Sequence, residues 1–154
     1  MASATTIFIP GLLCTEYLFH HQRDAMPGGA VFADTRQHDT MTAMAEAALA
    51  QAPGQPIPIG LSMGGYVALE MARLAPSRIS AMALLSTSCR QDNAAQRAYR
   101  EQSIKLAKQD GFRGVTRQFL GKCLSPTALA DPALVEGVLA MAAEIGRGVF
   151  AQQQ

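Results

Sequence analysis

The sequence is poor in charged residues, and those it has are not arranged for a charged partner. Only 16% of the residues are charged, and the formal net charge is +1. The lysines and arginines lie in separate segments, so the chain has no basic patch interleaved with aromatic residues. Hydrophobic residues make up 49% of the chain, which argues against intrinsic disorder. We therefore expect a folded protein that does not bind nucleic acid.

Long hydrophobic runs are also missing. No apolar stretch approaches the roughly 18 residues needed to span a bilayer, because Pro10, Pro27, Gly54 or charged residues interrupt each one. The first six residues carry no positive side chain, unlike the start of a secretory signal peptide. The sequence therefore predicts a soluble protein with no membrane partner, and cytoplasmic localisation is the default expectation.

Cysteine is too sparse to organise a fold or a metal site. Cys14, Cys89 and Cys123 are odd in number and widely spaced, which fits neither a disulfide framework nor a CxxC metal site. We expect them to be free, buried thiols. No GxGxxG motif follows a predicted strand, so a dinucleotide site is not indicated either. The sequence predicts no metal and no cofactor.

Short apolar strands alternate with helices in the first part of the chain. Strands are predicted at Thr6–Ile9, Ala30–Ala33 (after a turn at Pro27-Gly28-Gly29), Pro56–Ile59 and Ile79–Leu85. One helix is predicted after Asp39 or Thr40 as its cap, with Met41, Met44, Ala48 and Leu49 at helical spacing and an end near Pro53-Gly54. Another is predicted from Tyr66 to about Leu74. Because parallel strands need helical crossovers, this alternation predicts an α/β architecture with a parallel sheet.

Beyond Ser86 the sequence is helical in character. Residues 92–109 are polar and favour a helix, residues 112–120 carry an apolar stripe, and Asp131 is a candidate cap for a helix that begins at Pro132. No strand is predicted there. We therefore divide the chain into residues 1–90, an α/β core, and residues 91–154, a helical segment that is either a cap over a site or the edge of a helical bundle.

One short motif carries chemistry. Gly60-Leu61-Ser62-Met63-Gly64 matches G-x-S-x-G, in which a serine occupies a sharp turn between a strand and a helix. Both glycines remove side chains that would collide where the chain reverses around the serine. The helix that follows directs its N-terminal amides at the site, so the amide of Met63 can stabilise an oxyanion.

Three parts of the chain together resemble the α/β-hydrolase superfamily, and among its members the esterase-like serine hydrolases. The resemblance rests on Phe8–Leu13, Gly60–Gly65, and Arg78-Ile79 leading into Leu84–Ser88, and it covers residues 6 to about 90. It implies that Ser62 is the nucleophile and that the amides of Leu12 and Met63 form the oxyanion hole. It also implies a parallel-sheet α/β-hydrolase core with about four strands present, a helical cap-like segment after it, and the family's C-terminal strands missing.

The base that this family needs is absent from its expected position. In α/β-hydrolases the triad runs Ser, then Asp or Glu, then His, yet His20, His21 and His38 all precede Ser62. A serine hydroxyl is a poor nucleophile until an imidazole takes its proton, and a carboxylate must orient that imidazole. The three histidines are explained by surface or capping positions. Asp92 lies just past the fourth strand, where some members have their acid, but it also fits a helix cap.

The sequence thus predicts a serine-dependent hydrolase of esters or related small acyl compounds, incomplete in this chain. The apolar helices after Ser88 favour a small hydrophobic acyl or alkyl group. A second hypothesis is a non-catalytic binding protein on a degenerate hydrolase fold, with self-association through an exposed sheet edge. A third, acyl transfer from a thioester carrier, usually requires a histidine where Leu61 stands.

Overall fold

The structure is a computed structural model that describes residues 4–26, 29–109 and 114–154. Pro27 and Gly28 of the predicted turn, and residues 112 and 113 of the predicted apolar stripe, lie outside these ranges. The chain divides into two compact units, each of which is described separately. The first comprises Met1–Leu12, Phe19–Gln91 and Gln153, and the second comprises Leu13–Leu18, Asp92–Gln152 and Gln154.

The first unit is built on one sheet of four parallel strands, which confirms the predicted α/β architecture. The strands are β1 (Ala4–Ile9), β2 (Ala30–Phe32), β3 (Gln55–Leu61) and β4 (Ala83–Leu85). Their order across the sheet is β2-β1-β3-β4, and all three pairings are parallel. The helices of this unit are α1 (His20–Asp24), α2 (Met41–Gln51) and α3 (Met63–Leu74).

Strand β1 is buried on both faces. Ile7 and Ile9 are fully buried in a cluster with side chains of α2 and α3. Phe8 points to the opposite face, where its ring stacks on Phe19 at a centroid distance of 4.6 Å and on Phe32 at 5.5 Å. This double burial explains why the second half of β1, Ile7–Ile9, is a continuous apolar run, as is typical of a parallel sheet.

Strand β4 is shorter than the predicted Ile79–Leu85, and the prolines of β3 explain the difference. Only Ile59, Gly60 and Leu61 of β3 pair with β4. Extending the same register backwards would set Pro58 and Pro56 beside β4, and proline has no amide hydrogen to donate to a neighbouring strand. The pairing therefore starts only where β3 has passed its second proline.

The helix boundaries refine the predictions. Thr40, one of two predicted caps, accepts a hydrogen bond from the Ala43 amide at 3.2 Å and begins α2. Helix α3 begins at Met63, three residues before the predicted Tyr66. Glycine disfavours a helix in isolation, but here Gly64 and Gly65 are buried in tight contacts that only glycine allows.

Within its described residues, the second unit contains helices and their connections but no strand. Its helices are α4 (Ala94–Ala107), α5 (Arg117–Leu120), α6 (Pro126–Leu129) and α7 (Pro132–Gln153). Asp131 caps α7 as predicted, since its carboxylate accepts from the amides of Ala133 and Leu134. Helix α7 is interrupted at Gly146, whose φ of 70° and ψ of 171° are not helical.

Asp92, for which a helix cap was one of the two interpretations of the sequence, does not cap the helix after it. Asn93 is the cap, because its side chain accepts from the Gln96 amide while the Gln96 side chain accepts from the Asn93 amide. The Asp92 carboxylate instead forms an ion pair with Arg100. The arginine lies eight residues away in the sequence, so local spacing does not predict the pair.

The thiol prediction is partly wrong. None of the three cysteines, all of which lie in the described ranges, is in a disulfide. Cys14 is half-buried, but Cys89 and Cys123 are exposed because each lies in a connection that follows a short element.

None of the described helices combines the length and apolarity that a bilayer crossing requires.

Candidate active site

Ser62 occupies the turn between β3 and α3 in a conformation that side chains rarely adopt. Its φ is 52° and its ψ is −112°. For a residue other than glycine such a backbone costs of order 1–3 kcal/mol, and it persists only where surrounding contacts hold it. Ser62 is solvent-exposed although the residues that follow it, Met63 and Gly64, are buried. The turn therefore presents one hydroxyl at the carboxyl end of β3.

The glycines around the serine are required by close backbone contacts. A Cβ on Gly60 would lie 2.3 Å from the carbonyl oxygen of Gly64, and a Cβ on Gly64 would lie 2.1 Å from the carbonyl oxygen of Ile9. Real Cβ atoms essentially never approach this closely. Neither glycine has a positive φ, so lack of space, and not backbone conformation, requires glycine here.

Three hydrogen bonds hold the backbone of Ser62. Its amide donates to the carbonyl oxygen of Leu85 in β4 at 2.9 Å. Its own carbonyl oxygen accepts from the amide of Gly65 at 3.0 Å and from the hydroxyl of Thr87 at 2.8 Å. Both polar groups of the serine peptide are therefore engaged, and two of the three partners come from β4 and the residues directly after it.

The Ser62 hydroxyl itself is not used to cap α3. The side chain makes no capping hydrogen bond, although serine is among the residues most often found in that role. The first amides of a helix have no carbonyl partner within the helix, and the helix dipole makes that end favourable for negative charge. The amide of Met63, the first residue of α3, is one of these donors.

The loop after β1 lies against the serine turn. A Cβ on Gly11 would meet the carbonyl oxygen of Leu61 at 3.2 Å and the Cβ of Ser62 at 3.5 Å. Leu12 is the next residue and is half-buried. The structure thus brings together the two segments that the sequence analysis selected, since β1 and β3 are neighbours in the sheet.

The three histidines lie in segments that precede Ser62 in the chain. His20 and His21 lie together at the start of α1 with ring centroids 3.8 Å apart, and His38 precedes α2. The Arg100 guanidinium beside Asp92 holds the pKa of that carboxyl below its usual value. Asp92 is therefore an ion-pair partner of Arg100.

Thr87 is the polar residue at this site that the sequence analysis missed. It lies two residues after β4, at the same edge of the sheet as Ser62, because parallel strands have their carboxyl ends together. That shared edge is the signal that would have selected it.

Comparison with known proteins gives one family and a set of solved structures. The family model described as alpha/beta hydrolase fold matches residues 14–130, more than half of the chain. No curated protein matches the chain. Among solved structures, a hydrolase from Pseudomonas aeruginosa is similar with a TM-score of 0.74 at 22% identity, over 99% of this chain and 63% of that one.

Two further solved structures have the same fold. The esterase EaEST from Exiguobacterium antarcticum is similar with a TM-score of 0.65 at 14% identity, over 99% of this chain and 66% of that chain. The N-acyl homoserine lactonase AidH, complexed with N-butanoyl homoserine, is similar with a TM-score of 0.56 at 15% identity, over 99% of this chain and 60% of that chain. The chain spans less than two thirds of the length of each of these structures.

Proposed function

The chain belongs to the α/β hydrolase fold family, and we propose that it carries the nucleophile of a serine hydrolase acting on esters or related small acyl compounds. The observation that supports this most is Ser62 itself, an exposed serine with a φ of 52° at a strand-to-helix turn. An ordinary turn between a strand and a helix requires neither this strained backbone nor the tight contacts of Gly60 and Gly64. Strain of this kind clusters at active sites.

In the proposed reaction the Ser62 oxygen attacks the carbonyl carbon of the substrate. The serine proton passes to a base, the alcohol leaves with a proton, and water then hydrolyses the acyl-serine and regenerates the hydroxyl. The oxyanion is stabilised by the amides of Met63 and Leu12. Support for the first is its position at the start of α3, and support for the second is the contact of Gly11 with Ser62.

The reaction also needs an acid and a base that the chain does not supply in the family's order. No histidine follows Ser62, so the 154-residue chain alone is expected to turn over very slowly. In a comparable serine enzyme, removal of the base costs about 10⁶ in turnover. The oxyanion hole and the nucleophile would remain, and they are testable without turnover.

The test is covalent labelling of the chain by a fluorophosphonate, with free imidazole added in increasing concentration to act as an external base. We expect one adduct per chain, located at Ser62 by peptide mass mapping, at a rate that rises with imidazole. Ser62→Ala should abolish labelling. Ser80→Ala, which changes another exposed serine, should not. Labelling that persists in Ser62→Ala, or no labelling at any imidazole concentration, would contradict the proposal.

We propose that the substrates are esters or related compounds that carry a small hydrophobic acyl or alkyl group. Residues 91–154 are proposed as a cap-like segment, and the described part of that segment is helical with several large apolar side chains exposed: Tyr99, Leu106, Phe119 and Leu129. Two of the similar structures carry the names esterase and N-acyl homoserine lactonase, which is consistent with acyl chemistry.

The second candidate function is a non-catalytic binding protein that self-associates through β4. This strand is last in the sheet order, and Leu84 and Leu85 are each 40% exposed. An uncovered strand edge can pair with a second chain. Sedimentation velocity should then reveal concentration-dependent dimers that Leu84→Lys disrupts and that Leu129→Lys, at an exposed leucine of α6, does not. A monomer at every concentration would exclude this function.

A further inference from the structure

The segment that follows β4 turns sharply at Ser86. This residue has a φ of 46°, so it is a second serine with a positive φ in the first unit, after Ser62. The carbonyl oxygen of Leu85, just before it, accepts from the Ser62 amide, and the hydroxyl of Thr87, just after it, donates to the Ser62 carbonyl. The turn at Ser86 is therefore joined to the turn at Ser62 through both the amide and the carbonyl of Ser62.

The side chain of Thr87 is seated directly against α3, and Gly65 provides the space. A Cβ on Gly65 would lie 2.4 Å from the Thr87 methyl carbon, 2.6 Å from its Cβ and 2.6 Å from its hydroxyl oxygen. Gly65 has no positive φ, so its backbone does not require glycine. The three nearest atoms all belong to Thr87, so glycine at this position provides room for one threonine side chain.

The Thr87 hydroxyl holds the Ser62 carbonyl from outside α3, as the Leu85 carbonyl oxygen holds the Ser62 amide. The Gly65 amide also donates to the Ser62 carbonyl, but Gly65 belongs to the same helix turn and moves with it. Thr87 belongs to a different segment, 25 residues away in the sequence, so its bond ties the orientation of the Ser62 peptide to the sheet. This hydrogen bond offsets part of the strain at Ser62.

We propose that Thr87 is a positioning residue for Ser62, and that its hydroxyl holds the strained peptide which points the nucleophile out of the turn. This inference rests on the proposed function in so far as it concerns reactivity. Thr87 does not contact the substrate in this role. It acts through the Ser62 carbonyl, and Gly65 is its packing partner.

The test compares Thr87→Val, which keeps the shape and removes the hydroxyl, with Thr87→Ser, which keeps the hydroxyl. The readout is the rate of fluorophosphonate labelling at Ser62 in the full chain with imidazole, well below the melting temperature. Thr87→Val should react about five- to tenfold more slowly, the rate equivalent of one hydrogen bond. Thr87→Ser should restore most of the rate, and Thr127→Val in α6 should leave it unchanged.

A residue that only stabilises the fold would lower the melting temperature without changing the labelling rate of the folded protein. Wild-type labelling in Thr87→Val, or equally slow labelling in Thr87→Ser, would overturn the proposal. If the wild-type chain is not labelled, the proposed function fails, and crystal structures then test the positioning alone. A Ser62 φ that leaves the positive region in Thr87→Val supports it, and an unchanged φ overturns it.

Discussion

Gly64 lies against the carbonyl oxygen of Ile9, with space for a hydrogen atom but none for a side chain. The contact joins the second residue of α3 to the last residue of β1, and a Cβ there would be 2.1 Å from that oxygen. The start of the helix is thereby held beside the point where the Pro10–Leu13 loop leaves the sheet. One glycine thus keeps the two segments of the candidate active site together.

We expect Gly64→Ala to destabilise the protein strongly. The added methyl group would meet main-chain atoms of Ile9 and Pro10, which cannot rotate away as a flexible side chain would. Overpacking of this kind costs typically 1–3 kcal/mol, and a backbone clash belongs at the upper end of that range or beyond. Urea unfolding followed by circular dichroism measures the loss.

Gly148→Ala is the matched control for that substitution. A Cβ at Gly148, in α7, would meet nothing within 4 Å, and Gly148 has no positive φ. Alanine is a better helix former by up to about 1 kcal/mol, so this variant should be as stable as the wild type or slightly more stable. Equal effects of the two substitutions would mean that the contact with Ile9 does not govern the position of α3.

Arg78 closes the C-terminal end of α2 and should be important for stability. Its guanidinium donates to the carbonyl oxygens of Leu49 at 3.2 Å, Ala52 at 2.9 Å and Gly54 at 3.0 Å. These acceptors include the end of a helix, where a cation is also favoured by the helix dipole. Arg78→Met should cost about 1–3 kcal/mol in unfolding free energy, because partly buried carbonyl groups lose their donor.

Two comparison variants make the Arg78 prediction specific. Arg78→Lys keeps the charge but has no planar fork to reach three carbonyl groups, so it should recover only part of the loss. Arg117→Met removes an arginine whose ion pair with Glu136 is exposed on both sides, and it should change stability by less than about 1 kcal/mol. Full recovery in Arg78→Lys would mean that charge alone accounts for the effect.

The sequence was sufficient for features that depend on neighbours along the chain. The order of strands and helices, the serine turn with its two glycines, and the cap Asp131 all follow from spacings of a few residues, whereas the cap of α2 was limited to Asp39 or Thr40 and proved to be Thr40. The parallel sheet follows too, since connections through helices leave few other arrangements. The roles of Ser62, Met63 and Leu12 stay predictions, because geometry alone does not test a reaction.

Features that depend on distant residues were not predictable. The bond from Thr87 to Ser62 spans 25 residues, and that from Arg78 to Ala52 spans 26. The length of β4 depends on which residues of β3 it would pair with, and so on Pro58 in another strand. In each case the register of the sheet or the packing of a helix had to be known first.

Asn93, the cap of α4, should contribute to the stability of that helix. The reciprocal hydrogen bonds between Asn93 and Gln96 satisfy two amides at the start of the helix. Asn93→Ala should therefore cost about 1 kcal/mol in unfolding free energy, measured by urea denaturation. Gln91→Ala, at an exposed position two residues earlier, should have little effect. A larger loss in Gln91→Ala would contradict the assignment of the cap.

Glu70 links α2 to α3 and gives the fold a predictable response to acid. Its carboxylate accepts from the Thr42 hydroxyl at 2.7 Å and from the Arg73 guanidinium at 2.7 and 2.8 Å. Arg73 first, and Thr42 second, lower the pKa of Glu70 from its ordinary value of 4.5 to about 2. Because the folded pKa lies below the unfolded one, the stabilisation is complete above pH 4.5 and is lost as the pH falls toward 2.

We therefore expect Glu70→Gln to be less stable than the wild type at pH 6, with the difference narrowing as the pH is lowered through 4. Urea unfolding at several pH values between 6 and 3 measures that difference. Thr42→Val removes one of the two donors, so in this variant the pKa of Glu70, followed by NMR, should rise above its wild-type value while staying below 4.5. A stability difference that is constant over this pH range would mean that Glu70 titrates alike in the folded and unfolded chains, and that its contacts with Thr42 and Arg73 do not favour the carboxylate.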